Sequence, residues 1–167
     1  MKNSGKSPEI WLDRRSLAWA GYDIATSVYV GVVPSVLAPL YIRELSGGFT
    51  NPTAVWGILS AVAVLVSFFA AIAAASLAAQ ATRFTLLVIF SAALVAAIVA
   101  LAWNPTASFA QAALAFIAAQ SCYFAAMTIY ESFLPDIVQP SGRQRLSGFG
   151  WATGYFGGIL SIAVLLA

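Results

Sequence analysis

A chain of 167 residues that is 61% hydrophobic and 8% charged cannot clothe a water-facing surface, for which about 25% charged residues is usual. The formal net charge of +2 is small and the basic residues are spread along the chain, which excludes a nucleic-acid patch. With no histidine and a single cysteine, Cys122, the common zinc sites and His-based catalytic triads cannot be assembled. Cys122 lies in an apolar run and reads as a buried, inert thiol.

The expected fold is all-α, a polytopic bundle of transmembrane helices. A bilayer core is about 30 Å thick and takes about 20 apolar residues to cross as a helix. Five stretches qualify, at about 17–42, 54–78, 84–103, 106–130 and 148–167. Residues 1–16 form a polar segment before the first span, so 17–167 is one membrane domain. Barrels need short alternating segments, which are absent here. The first run is too long for a signal-peptide core and reads as a retained span.

The connections carry breakers. Ser46-Gly47-Gly48 with Asn51-Pro52 makes the first, Gln80 to Arg83 the second and Asn104-Pro105 the third. Glu131 to Ser147 makes the fourth, the longest, with two prolines. Lys and Arg set the orientation. With the amino terminus in the cytoplasm, the inner side holds Lys2, Lys6, Arg14, Arg15, Arg83, Arg143 and Arg145, and the outer side only Arg43. The expected location is the cell (inner) membrane. A fifth span that is still apolar at Ala167 reads as part of something longer; the alternative is a short protein whose last helix just spans.

Asp23 is the most informative residue. It lies about six residues, or ~9 Å, inside the first span, where an ionisable group is costly and marks a functional candidate. It is either a titrating or substrate-contacting carboxylate or a structural ion pair with Arg14, Arg15, Arg83 or Arg145. Thr26 and Ser27 follow three and four residues on, so a polar stripe should face the bundle, flanked by Tyr22 and Tyr29. Pro34 and Pro39 lie in the outer half of the same helix, and each can kink it. Gly150, Gly154 and Gly158 make a GxxxGxxxG ridge, with Gly157 beside it, suited to close helix packing or to self-association. Ala70, Ala74 and Ala78 make a similar ridge on the second span. In the fourth connection Glu131 and Asp136 can reach Arg143 and Arg145, although exposed pairs are worth little.

Two segments resemble the major facilitator superfamily, and within it the branch of the vacuolar amino-acid effluxer and its bacterial relatives. Trp19-Ala-Gly-Tyr-Asp-Ile-Ala-Thr-Ser-Val-Tyr29 is similar to that branch's first-helix W-x-x-Y-D-x-A-x-S-x-Y pattern. Phe133-Leu-Pro-Asp136 and Arg145-Leu-Ser-Gly-Phe-Gly-Trp-Ala-Thr-Gly-Tyr-Phe-Gly-Gly158 are similar to its F-L-P stretch and S-G-x-G-W-A-x-G-Y-x-G-G motif. The resemblance implies the front part of a transporter with two six-helix halves and its solute between them. It makes Tyr130, Asp136, Arg145, Trp151 and Tyr155 further substrate or gating candidates beside Tyr22, Asp23, Ser27 and Tyr29. One departure stands out. The superfamily's inner loop resembles G-x-L-A-D-R-x-G-R, whereas Ala75-Ser-Leu-Ala-Ala-Gln-Ala-Thr-Arg83 keeps only Leu77, Ala78 and Arg83, which puts conventional gating by that loop in question.

The expected function is therefore secondary transport of a small solute, with amino acids suggested at the level of the branch. The alternative is a non-transporting helix-packing module or a remnant. The expected partners are the lipid bilayer, the solute, and the missing transporter half or a second copy. Neither cofactor nor metal is expected. Catalysis is not expected either, because Asp23 has no second carboxylate in another span.

Overall fold

The computed structural model describes residues 13–48, 50–103 and 108–167, all of them helical or in short connections. The elements are α1 (Arg14–Val32), a π-helical turn (Val33–Leu37), α2 (Ala38–Leu45), α3 (Pro52–Ala78), α4 (Arg83–Ala102), α5 (Phe109–Glu131), α6 (Leu134–Ile137) and α7 (Pro140–Leu166). Five helical stretches are long and apolar enough to cross a membrane: Arg14–Leu45, Pro52–Ala78, Arg83–Ala102, Phe109–Ile137 and Pro140–Leu166. The protein is an all-α, multi-pass membrane protein. The polar segment with Lys2 and Lys6 and the Asn104-Pro105 turn lie outside the described residues.

Local chemistry sets the helix ends. Asp13 Oδ1 accepts the Ser16 backbone N–H at 2.8 Å, which caps α1. That backbone hydrogen bond from Ser16 is the largest influence holding the Asp13 carboxyl below its ordinary range. Asn51 accepts the Ala54 N–H at 3.1 Å, and Pro52 fills the first turn of α3. Ser108 and Gln111 form a reciprocal capping box at the start of α5.

The fifth span begins at Pro140, not near Gly148 as its apolar run suggests. Proline at the first helical position brings a preset φ and loses nothing by lacking an N–H. The polar stretch 141–147 therefore continues the helix. The long connection expected at Glu131 to Ser147 shrinks to Ser132–Gln139, with α6 inside it. In the first span Pro34 falls within the π turn and Pro39 within the first turn of α2. Both lack the N–H that the i→i−4 ladder needs, and a wider turn absorbs the break without ending the span.

Inside hydrocarbon each polar group needs an internal partner. Several hydroxyls find one on their own helix. Ser67 donates to the Ala63 carbonyl at 2.6 Å, Thr128 to Phe124 at 2.9 Å, Thr153 to Phe149 at 2.9 Å and Ser161 to Gly158 at 2.7 Å.

The described residues form two compact units, residues 13–32 with 134–167, and residues within 33–133. In the second, α5 is the middle helix and packs on both α3 and α4. Trp56 of α3 meets Phe116 of α5 with ring centroids 5.1 Å apart, near the starts of both helices, so these run parallel. Ala74, Ala125 and Ile129 are fully buried, with Leu86, Leu87, Phe90 and Phe133 packed around them. Ala74 thus takes the small-residue role read from the sequence, while Ala70 and Ala78 are half-buried. At the start of α4, Arg83 donates to the Ser132 carbonyl at 2.7 Å and lies over the Phe133 ring. The cation meets the carbonyl end of α5, where the helix dipole is negative. Ile58, Phe68, Phe69, Phe84, Ile89 and Val95 point outward and exposed, a surface suited to acyl chains and not to water.

Candidate functional site

The first unit consists of α1 packed along α7, with α6 against the start of α7. On α1 the contact line steps by four residues, through Trp19, Asp23, Ser27 and Gly31. On α7 it steps by four through Gly150, Gly154 and Gly158. Equal spacing on both sides lets the two i, i+4 ridges interlock, and the absence of side chains on α7 brings the backbones together.

The distances are short. A Cβ placed on Gly150 would lie 2.6 Å from the Trp19 ring and 3.4 Å from Asp23 Oδ2. One on Gly154 would lie 2.7 Å from Ser27 Oγ and 3.0 Å from Asp23 Oδ2. One on Gly157 would lie 2.8 Å from Ile24 Cγ2. At the far end, the Cβ that Gly31 lacks would lie 3.2 Å from the Gly158 carbonyl oxygen. Residue numbers rise together along both helices, so α1 and α7 are parallel.

Asp23 is half-buried over the backbone of Gly150 and Gly154. Thr26 turns its hydroxyl to the Tyr22 and Asp23 carbonyls at 3.1 Å each, so it supports the helix and leaves the carboxylate to itself. Among the described residues no arginine pairs with Asp23. Arg83, one of the expected partners, belongs to the second unit and holds the end of α5. No group of three His, Cys, Asp or Glu able to hold a metal lies together among the described residues.

The other sequence candidates stand as follows. Trp151 and Tyr155 meet with ring centroids 5.8 Å apart and planes tilted by 51°, and both are exposed. They sit about 100° around α7 from the glycines, one residue on in each case. Asp136 on α6 and Arg145 in the second turn of α7 are exposed, Tyr22 is half-buried and Tyr29 is buried. Tyr130 is buried near the end of α5, in the second unit. Gly31 and Ile24 were not among the sequence candidates, although Gly31 continues the four-residue step from Asp23 and Ser27. That spacing, matched against the glycine spacing, was the signal.

Compared with known protein families, curated proteins and solved structures, the chain matches none.

Proposed function

We propose that this chain is part of a secondary membrane transporter of the major facilitator type. It moves a small solute by alternating access, and amino acids are the substrate class its motifs suggest. The observation that carries the reading is the seating of the Asp23 stripe on the Gly150–Gly158 ridge. The two sequence segments that resemble the superfamily are separated by three spans, yet they are each other's packing partners. A carboxylate kept inside a span is costly, and a helix contact alone gives no reason to keep one. Asp23 serves in the inner gate or in proton coupling, with Ser27 beside it. The smooth glycine face lets α7 slide or tilt against α1 as the protein changes state.

The cation distribution supports an amino terminus in the cytoplasm and a place in the cell membrane. A helix-packing module that associates through its glycine ridge is the less supported reading, because Gly150, Gly154 and Gly157 are already buried.

Proteoliposomes carrying the protein from its complete reading frame test the proposal. Counterflow of labelled amino acids above that of protein-free vesicles, lost in Asp23→Asn, is the expected result. Equal uptake and equal pH dependence in Asp23→Asn removes Asp23 from the mechanism, and no flux of any amino acid refutes the substrate class.

A further inference from the structure

We propose that the end of the first unit where α1 and α7 begin binds the headgroup of an anionic phospholipid, through Arg14, Arg15, Arg143 and Arg145. Because α1 and α7 are parallel, both helices start at the same end. Trp19 lies level with Gly150. Arg14 and Arg15 precede Trp19 by about one turn, and Arg143 and Arg145 precede Gly150 by one to two turns, a rise of about 6–10 Å in each case. Half of the chain's eight basic residues therefore lie at one end of the first unit.

Among the described residues at this end, four arginines face two carboxylates: Asp13, which caps α1 through the Ser16 N–H and also attracts Arg15, and Asp136 on α6. Arg14, Arg15 and Arg145 are exposed, whereas Arg143 is half-buried. The Nε of Arg143 is buried with no hydrogen-bond partner among the described residues. A guanidinium carries five donors in a fork suited to phosphate, and a buried donor left unmatched is costly.

A lipid fits better than a free anion, because exposed apolar groups lie next to the cations. Leu17 and Trp151 are both more than half exposed, one turn or two above the arginines, where acyl chains begin. Basic pockets between spanning helices at the membrane surface bind such headgroups.

The test uses the full chain in mild detergent, titrated with dioleoyl phosphatidylglycerol, with dioleoyl phosphatidylcholine and with inorganic phosphate, and read by native mass spectrometry. The wild type should retain phosphatidylglycerol over phosphatidylcholine. Each arginine near the surface contributes roughly five-fold in affinity, so Arg143→Gln with Arg145→Gln should weaken phosphatidylglycerol about 25-fold and leave phosphatidylcholine unchanged. Arg14→Gln with Arg15→Gln, on exposed positions of the other helix, should give a similar loss and keeps the test open if the first pair misfolds. Arg43→Gln, at the far end of the first span, should change nothing. Equal retention of the two lipids overturns the proposal, as does an equal effect of Arg43→Gln. Displacement of phosphatidylglycerol by stoichiometric inorganic phosphate overturns the assignment to lipid.

Discussion

Asp23 Oδ2 on α1 lies 3.0 Å from the point where a side chain on Gly154 of α7 would begin. The contact leaves no space for even a methyl group, and it sets one costly charge against the smoothest face in the molecule. Its consequences for stability and for transport can be separated by substitution.

Replacing Gly154 tests the packing. Gly154→Leu must push α1 away or expel Asp23 and Ser27, and overpacking of this kind costs about 1–3 kcal/mol. The thermal midpoint in detergent should fall. Gly148→Leu, where a Cβ meets nothing within 4 Å, should leave it in place. Equal midpoints for the two variants would show that the ridge is not a tight contact.

Asp23→Asn separates charge from shape. Asparagine keeps the volume and removes the charge, whose burial is unfavourable. The thermal midpoint should hold or rise while coupled transport is lost. A falling midpoint would assign Asp23 a structural ion pair instead.

Arg83 offers a test in the second unit. Its hydrogen bond to Ser132 and its place over Phe133 join a charge-assisted bond to a cation–π contact. Arg83→Ala should cost about 1.5–3 kcal/mol, read by thermal unfolding. A double-mutant cycle with Phe133→Ala should return a coupling of about 0.5–1 kcal/mol. Arg83→Lys should recover only part of the loss, because an ammonium lacks the planar stacking surface.

The cap on α1 should respond to pH. The Asp13 carboxyl is held below its ordinary value in the folded chain, so the unfolded chain binds this proton at higher pH than the folded one. The cap's contribution is full above the ordinary carboxylate value and fades as pH falls through the lowered one. Asp13→Ala should therefore fray the start of α1 at neutral pH and have no effect in strong acid. Asp13→Asn, itself a good cap, should show little effect at either pH. Amide exchange of Ser16 and Leu17 measures both.

Most of the fold was legible because membrane helices announce themselves by length and apolarity. Five helices long and apolar enough to cross a membrane lie over the five apolar stretches. The boundaries that moved are those where polar residues are helical. Arg14 opens α1 because Asp13 caps it, and Pro140 opens α7 because proline suits a first turn. Hydropathy is blind to both, whereas capping chemistry reads them. At the site, the polar stripe and the glycine ridge each stood out in the sequence, but their pairing lay across more than a hundred residues. Only the matched step of four hinted at it. The partner of Arg83 was invisible for a related reason: a backbone carbonyl leaves no mark in the sequence. Trp151 and Tyr155 belong to the same motif as the glycines and differ from them only in helical phase. A motif names its residues without saying which face each one serves.

Cysteine cross-linking tests the parallel α1–α7 contact most directly. In a Cys122→Ser background, Ile24→Cys with Gly157→Cys places two thiols on Cβ positions 3.6 Å apart, inside the span that a disulfide bridges. Mild oxidation in membranes should give an intramolecular disulfide in high yield, while Ile24→Cys with Tyr155→Cys gives none. No disulfide from the first pair, or one formed only between two copies of the chain, would contradict the account.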